Sequence, residues 1–560
     1  MTTVGRAGSV TVLFAKRTFM AAAAFVFLTA VISQNLGLCA TNAAAEEQVP
    51  LFRAKARVVL IDVLVTDRRG NPVRGLTRED FTLADDGAAQ TISGFEEHEK
   101  ETPNEQKPPL AFERDSHTNW ITSPSKGAAN IILFDLLNCE ARDQLYGRQQ
   151  MLNLLRQVPP GEQIALFALT TRLHKIQDFT SDPNVLIAAT EKRLLGGGPF
   201  SLEGTEGGDT FSETEIKRLR VVYTLNALRD LGKATASLSG RKNVIWLTTG
   251  FPMVDRPTDA LRNPRVPVSR SNSASERRDF TQEVRRAAEH LAGLQVALYP
   301  IDLKGLVGPI RGLNDVMFTR GMLEGQDERF TLSTLAQETG GRAYYDKNDL
   351  HAEIARVLTK DSNYYTLAYT PRNIAWDGSY HKVKVKVARK HVDLTHRRGY
   401  YALGDSPLTE EQASRTLGEA LGLESMDSRM IVLAAQMLQP EAPGQPVKIN
   451  YHIDPSTLVF DDAGDSMSAL LAVGATAWDE NKQKAIDAAK KVNAAFKPSE
   501  LATAKTSGIP FALELKLNPG TYTLKLAVVD LKSGRTGSLS APLRVEGKAQ
   551  QVTAEGERAP

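Results

Sequence analysis

Cysteine is nearly absent from this 560-residue sequence, which contains only Cys39 and Cys139. Small secreted domains without a large hydrophobic core are usually held together by several disulfides. Two cysteines cannot provide such a framework, so packed hydrophobic cores must stabilise this chain. The chain is too long to fold around a single hydrophobic core, and we expect three or four domains.

An excess of one charge is also lacking, since 68 Lys and Arg residues stand against 66 Asp and Glu residues. Nucleic-acid-binding proteins usually carry a clear basic patch or excess. The near-neutral balance therefore gives no reason to predict a nucleic-acid partner. Long apolar runs are missing after the N-terminal segment, so the body of the chain is not expected to cross a membrane.

Motifs of common enzyme sites are missing as well. The sequence has no His-Glu-x-x-His spacing and no Gly-x-Ser-x-Gly nucleophile motif. The glycine-rich stretch 196–208 lacks the Gly-Lys-Ser/Thr ending of a phosphate-binding loop and is predicted to be a flexible loop. Cys139 has no histidine in the nearby motifs, which indicates a small buried side chain rather than a nucleophile. The sequence thus predicts a protein that is not an enzyme.

The N-terminus has the pattern of an export signal. Lys16 and Arg17 precede the apolar run 18–32, which is short for a membrane span but suits a signal peptide. Small residues at 43–45 offer a cleavage site, so residues 1–45 are predicted to be a signal peptide of a periplasmic or secreted protein. An uncleaved anchor is one alternative. A lipid anchor at Cys39 is another, although Leu38 stands where a small residue is expected.

Residues 128–360 alternate short apolar strands with amphipathic helices. Such alternation predicts an α/β fold with a doubly wound parallel sheet that is covered on both faces. Ligands of these folds bind beyond the carboxyl ends of the strands, on what is called here the carboxyl rim. The predicted strands cover residues 131–135, 163–170, 243–250 and 295–302.

Strand patterns flank this block on both sides. Residues 52–100 and 361–403 each hold few strands. In both segments apolar and polar residues alternate, which gives one apolar face that another sheet must cover. Because insertion into a surface loop is tolerated when the loop ends are close, we predict that the two segments form one β-sandwich with the α/β domain inserted. Residues 101–127 are polar and contain proline, which indicates a linker.

The C-terminal part begins with a predicted helical connector at 407–425. Residues 428–547 show strand patterns typical of an immunoglobulin-like β-sandwich. Within them, the turn 518–520 is predicted to join its two neighbouring strands as a hairpin. The polar tail 548–560 is predicted to be disordered.

Several long motifs occur in an order that resembles the von Willebrand factor A-related domain family described from acidobacteria. They extend over roughly residues 52–403 and are specific for family and fold, whereas a fold does not fix a function. The motifs are Val65-Thr-Asp-Arg-Arg-Gly-Asn-Pro-Val73, Gly75-Leu-Thr-Arg-Glu-Asp-Phe81, Leu335-Ala-Gln-Glu-Thr-Gly-Gly341, Tyr365-Thr-Leu-Ala-Tyr-Thr-Pro371 and Arg397-Arg-Gly-Tyr-Tyr401.

The resemblance implies a von Willebrand A-type domain and, in that class, a metal-ion-dependent adhesion site. Such a site joins an Asp-x-Ser-x-Ser loop, a distant Thr and a distant Asp around one divalent cation. Asp135 matches the first position, but Leu137 and Cys139 replace both serines, and Thr249 stands where the distant Asp is expected. Since Mg²⁺ prefers about six oxygen ligands, we expect a degenerate site without a cofactor. Mg²⁺ held by Asp135 is the alternative.

The remaining candidates lie on the same predicted rim. The distant Thr corresponds to Thr205 or Thr210, and Asp302 ends the last strand, where it either supplies a substitute carboxylate or caps a helix. The full set of predicted rim residues is Asp135, Asn138, Cys139, Thr205, Thr210, Thr248, Thr249 and Asp302.

We predict that this rim binds a protein ligand and that the chain is an exported protein of the adhesion type. The alternatives are an envelope hydrolase with an unrecognised active site on the rim and a structural protein of envelope assembly. The sequence does not name the ligand.

Overall fold

The computed structural model describes residues 57–546, apart from a set of gaps. The predicted signal peptide 1–45 and the tail 548–560 lie outside the described residues. The gaps are 101–109, 111–115, 122–126, 159–160, 196–199, 201, 203–212, 254–277, 305–314, 346–349, 373–374, 405–406, 441, 443 and 463–465. In the described part of the chain, no helix has both the length and the apolar character that crossing a membrane requires.

The elements follow one another in three groups. The first strands are β1 (Val59–Asp67), β2 (Phe81–Asp85), β3 (Ala88–Gln90), β4 (Gly94–His98) and β5 (Ser116–Thr118). The α/β block contains β6 (Ala129–Asp135), α1 (Ala141–Leu155), β7 (Ile164–Leu169), β8 (Leu173–Thr180), α2 (Pro183–Thr190), α3 (Glu213–Ala234), β9 (Lys242–Thr248), α4 (Thr281–Gly293), β10 (Val296–Asp302), α5 (Asp315–Glu338) and α6 (Leu350–Thr359).

The third group holds the remaining strands and two helices. They are β11 (Tyr364–Tyr369), β12 (Tyr380–Val387), β13 (Val392–Thr395), β14 (Gly399–Tyr401), α7 (Glu410–Ala420), β15 (Leu433–Leu438), β16 (Val447–Ile453), β17 (Asp461–Asp462), β18 (Met467–Asp479), β19 (Lys484–Phe496), α8 (Pro498–Ser507), β20 (Ile509–Leu515), β21 (Gly520–Asp530) and β22 (Thr536–Val545).

The prediction of a mixed α/β chain is confirmed. The α/β block has one sheet in the order β10-β9-β6-β7-β8, in which the first four strands run parallel. Every residue of β6, β7, β9 and β10 is buried, and separate hydrophobic clusters cover the two faces. The sheet is not wholly parallel, because β8 forms an antiparallel edge strand beside β7 that the sequence analysis did not predict.

Strands from both sides of the α/β block share two sheets. One has the order β13-β1-β11-β4 and the other β14-β12-β2-β3. Ile61 of β1, Leu83 of β2, Leu367 of β11 and Val385 of β12 belong to a single hydrophobic cluster. The chain therefore enters the α/β block from this sandwich and returns to it.

The turn between β2 and β3 sets the position of two carboxylates, those of Asp85 and Asp86. Asp86 and Gly87 form a two-residue loop, and both have positive φ angles, 47° and 85°. Positive φ at both central residues is characteristic of a type I′ turn, in which Asp and Gly are favoured. Asp85 ends β2 just before this turn.

The prediction of a linker over residues 101–127 is wrong in part. Residues 116–118 form β5, which pairs with β15 of the C-terminal domain. Asn119 fixes this strand, since its side-chain amide donates to the carbonyl groups of Ser428 (3.0 Å) and Ile431 (2.9 Å). The strand is too short and polar to show an alternating pattern, so only its tertiary partners identify it.

Two antiparallel sheets form the C-terminal domain. One has the order β20-β16-β15-β5, and the other has the order β17-β18-β21-β22 with β19 on the outer side of β18. The predicted hairpin around 518–520 is wrong, because β20 pairs with β16 whereas β21 pairs with β18 and β22. The turn carries the chain from one sheet to the other across their shared core.

The helical connector is α7. Thr409 begins it with a reciprocal cap, in which Gln412 N–H donates to the threonine hydroxyl (3.2 Å) and Thr409 N–H donates to the glutamine side chain (2.9 Å). Ala413 and Leu417 are buried against Val529 of β21. The connector is thus packed on the C-terminal domain.

Leu367→Ala tests the shared core of the first sandwich, because Leu367 is fully buried among strands from both segments. We expect the free energy of unfolding to fall by about 2–5 kcal/mol, through lost burial and a residual cavity. Val58→Ala is the control, since Val58 is 54% exposed. It should change stability by less than about 0.5 kcal/mol. Urea unfolding curves for both variants provide the measurement, and equal midpoints would contradict the shared core.

Candidate functional site

Asp135 is the centre of the candidate site, where it ends β6 and is fully buried. Its Oδ1 accepts hydrogen bonds from the backbone N–H groups of Leu137 (3.1 Å) and Asn138 (3.0 Å). Its Oδ2 accepts three more, from Asn138 Nδ2 (2.8 Å), Trp246 Nε1 (3.2 Å) and Thr248 Oγ1 (2.7 Å). A carboxylate offers about four lone-pair positions, so internal donors saturate this one.

Parallel strand pairing brings these donors together. β6 lies beside β9, and β9 lies beside β10 with Thr248 opposite Asp302. The strand ends at Thr248, two residues before the predicted end at residue 250, and the Thr248 hydroxyl also accepts the N–H of Gly250 at 3.0 Å. Thr248 therefore connects the end of β6 to the turn after β9.

Asn138 extends the hydrogen-bond network to a helix. Its amide donates to Thr224 Oγ1 (2.9 Å) on α3, and the Thr224 hydroxyl donates to the carbonyl of Arg220 (2.7 Å). Thr249 donates through its hydroxyl to the Asn138 carbonyl at 2.7 Å. The loop after β6 is thus held from the β9 side and from the helical layer.

Burial determines the electrostatics of this centre. It raises the pKa of the Asp135 carboxyl, and the hydrogen bonds from Asn138, Thr248 and Trp246 oppose that shift. Burial also raises the pKa of the Cys139 thiol well above its ordinary value, and the nearby Asp135 charge acts in the same direction. Cys139 therefore stays protonated and is a poor nucleophile.

Asp302 lies at the neighbouring strand end and is 4% exposed. Its Oδ1 accepts the Lys304 N–H at 2.9 Å, and its Oδ2 lies 3.6 Å from Arg329 Nη2 on α5. Lys304 also pairs with Glu328 of the same helix. Burial alone would lower the pKa of the Lys304 ammonium group. The carboxylates of Glu328, Asp302 and Asp143 outweigh this effect and raise the pKa. These pairs tie α5 to the rim.

The structure brings most of the predicted rim residues together, but Thr205 and Thr210 lie outside the described residues. Two members of the network were missed. Trp246 lies two positions before Thr248 on β9, and the period of two along a strand places both side chains on one face. Thr224 has no comparable signal, since only the packing of α3 on the sheet brings it to Asn138.

The residues around Asp135 do not fit a bound Mg²⁺. Such an ion requires about six oxygen ligands, and both oxygens of Asp135 are already engaged by five donors. Leu137 and Cys139, which replace the serines of the adhesion motif, are buried and supply no side-chain oxygen. Backbone, amide, indole and hydroxyl hydrogens take the place that a cation would occupy.

Comparison with protein-family models and with curated proteins gives no match. Among solved structures, the chain is similar to an aerotolerance-related membrane protein from Bacteroides fragilis, with 14% identity over 42% of this chain and 99% of that chain and a TM-score of 0.25. It is similar to BatB from Bacteroides thetaiotaomicron, with 14% identity, 41% and 96% coverage and a TM-score of 0.22. The N-terminal domains of the type V pili tip protein Mfa5 from Porphyromonas gingivalis give 9% identity, 72% and 76% coverage and a TM-score of 0.25. Scores this low carry no functional argument.

Thr248→Val tests the network around Asp135, because it removes the hydroxyl and keeps the shape of the side chain. Each buried polar group left without a partner costs about 1–3 kcal/mol. We therefore expect the free energy of unfolding to fall by at least about 1 kcal/mol in urea titrations. Thr334→Val, on the partly exposed surface of α5, is the control and should stay within about 0.5 kcal/mol. Equal stabilities of the two variants would show that the hydroxyl is not needed.

Titration calorimetry with Mg²⁺ tests the saturated carboxylate. We expect no Mg²⁺ site that depends on Asp135, because its lone pairs already accept internal donors. Heats measured for the wild type and for Asp135→Asn should be indistinguishable. A micromolar site that Asp135→Asn abolishes would contradict this interpretation.

Proposed function

We propose that the chain is an exported protein-binding protein of the adhesion type, which uses the carboxyl rim of a von Willebrand A-type domain without a metal ion. The observation that carries the proposal is the saturated Asp135 carboxylate. In an ion-dependent site, the cation leaves one coordination position for an acidic group of the partner. Here internal hydrogen bonds fill that centre, so a partner has to contact the surrounding surface of the rim.

The rim offers a surface suited to such contact on α5. Phe330 is 65% exposed and follows Arg329, which pairs with Asp302 at the strand end. A Cβ atom on Gly250 would lie 3.1 Å from Glu328 Cβ, so this part of α5 passes close to the turn after β9. Exposed Phe beside Arg is a combination that is enriched in protein interfaces.

Helix α1 adds further exposed apolar groups. Leu145 and Tyr146 are 57% and 42% exposed and lie in the first turns after the Asp135 loop. Gly147 packs closely on Leu303, where an added Cβ would lie 2.7 Å from Leu303 Cδ1. Helix α1 is thus seated on the residue that follows β10.

A preorganised rim favours binding. The hydrogen bonds around Asp135 join β6, β9 and α3 before any partner arrives, so the scaffold between the contacting helices has little freedom to lose on association. Less ordering on binding leaves more of the contact energy available for affinity.

Export is supported by the order of basic, apolar and small residues over 16–45.

A hydrolase on this rim, one of the two alternative functions, has little support from the residues there. In the described part of the rim, no histidine hydrogen-bonds to Asp135, Cys139 or Thr249. A buried thiol with a raised pKa and no adjacent base lacks the activation that a nucleophile requires.

Capture from an envelope extract of the native organism tests the proposal. Immobilised wild-type protein should retain a partner equally well with and without chelator. Phe330→Glu should reduce capture at least about tenfold, since a buried interface aromatic commonly contributes more than 1 kcal/mol. Leu438→Glu is the matched control, because Leu438 is an exposed leucine of the C-terminal domain.

Three outcomes count against the proposal. Capture that a chelator abolishes would indicate that a metal ion bridges the rim and its partner. Loss of capture only in Leu438→Glu would place the contact on the C-terminal domain, as a structural role in envelope assembly predicts. Hydrolysis of envelope material without capture would favour the enzyme.

A further inference from the structure

Asp85, Asp86 and His381 converge at one end of the first sandwich, far in sequence from the rim. Asp85 and Asp86 end β2 and begin its turn, and His381 belongs to β12, which pairs with β2. His381 Nδ1 lies 3.5 Å from Asp85 Oδ1 and 2.9 Å from Asp86 Oδ2. One ligand atom from each of the three residues lies within 4.8 Å of the other two. From this geometry we infer a binding site for a divalent transition-metal ion of the Zn²⁺ class.

The decisive observation is a buried carboxylate oxygen, Asp85 Oδ1, that accepts no hydrogen bond from the described part of the chain. Asp85 is 3% exposed, and its Oδ2 accepts the hydroxyl groups of Tyr369 (2.9 Å) and Tyr400 (2.8 Å). Its Oδ1 is buried and has no hydrogen-bond partner among the described residues. An unsatisfied buried carboxylate oxygen is costly, and this one is directed towards His381 Nδ1.

A proton alone does not resolve this arrangement. If His381 carries a proton on Nδ1, that proton can be donated to Asp86 Oδ2 at 2.9 Å, and Asp85 Oδ1 still lacks a donor. A metal ion satisfies the imidazole nitrogen and both carboxylates at once. Its charge also offsets the two acidic groups, one of which is buried.

The distances fit the proposed ion. Ligand atoms held about 2.1 Å from a tetrahedral Zn²⁺ lie roughly 3.4 Å apart, close to the separations of 2.9 and 3.5 Å between Nδ1 and the two carboxylate oxygens. Imidazole and carboxylate ligands suit Zn²⁺ better than they suit Mg²⁺ or Ca²⁺, which prefer oxygen alone. The Asp86 side chain is 51% exposed, so an ion and a water ligand can enter from its side.

Neighbouring side chains hold the ligands in place. Ser379 Oγ lies 3.1 Å from His381 Nε2, where it can accept the Nε2–H and leave the Nδ1 lone pair for the ion. The His381 ring also stacks on Tyr400, with ring centroids 5.4 Å apart and an interplanar angle of 20°. Such partners fix the tautomer and orientation of metal-binding histidines.

The ion would join the two segments that flank the α/β block, since Asp85 and Asp86 precede that block and His381 follows it. Because binding to the folded state alone stabilises it by mass action, Zn²⁺ should raise the melting temperature of the sandwich. This site is independent of the rim, so its failure leaves the proposed function untouched.

Calorimetric titration of the tag-free full chain with ZnCl₂ tests the inference. We expect one Zn²⁺ per chain and a higher melting temperature in its presence. His381→Phe keeps a ring against Tyr400 and should abolish binding, and Asp86→Asn, which tolerates the positive φ, should weaken it at least about tenfold. His391→Asn is the control, because His391 lies in the same sandwich, also has a positive φ of 62°, and is outside the site.

Circular dichroism of the zinc-free variants establishes that they are folded. If His381→Phe does not fold, Asp86→Asn on the exposed turn decides alone. Absence of binding at millimolar Zn²⁺, or equal affinities of the wild type and a folded site variant, overturns the inference.

Discussion

A fully buried carboxylate at the end of β6 is the constraint on which the rim depends. Asp135 cannot be left without partners, because an isolated charge in the protein interior is strongly disfavoured. The chain meets this requirement with its own donors rather than with a cation, and the donors come from the next loop and from β9. Satisfying one charge thereby fixes the relative positions of two strand ends and, through Asn138, of helix α3.

The α/β block is joined to the first sandwich by side-chain contacts as well as by the two crossings of the backbone between them. The backbone N–H of Arg241, just before β9, donates to the hydroxyl oxygen of Tyr364 at 2.8 Å. Gln295, just before β10, donates to Asp62 of β1 at 3.1 Å, and Arg397 lies 3.7 Å from Glu289 of α4. These contacts lie at the amino ends of the strands, opposite the rim. The sandwich therefore holds the α/β block from the amino side of its sheet.

Sequence patterns identified the elements whose own residues carry a periodic signal. The four parallel strands of the α/β block are continuous apolar runs. Elements defined mainly by their partners were missed. β5 is short and polar, β8 alternates only in part, and the partners of β20 lie in a different sheet from those of β21. At the candidate site, Asp135 was visible as a strand end, whereas the donors that close it come from distant residues such as Thr224 and Trp246.

Two buried aspartates at strand ends show that the hydrogen-bond donors around a carboxylate decide whether it can bind an ion. Asp135 has donors on both oxygens, two from backbone N–H groups and three from side chains. Asp85 has two tyrosine hydroxyls on Oδ2 and none on Oδ1, which is directed towards a histidine and a second carboxylate. The residue that matches a known metal motif is thus the one with no capacity left for an ion. The capacity lies instead at Asp85, outside that motif, where the pairing of β2 with β12 brings the third ligand from the far side of the inserted domain.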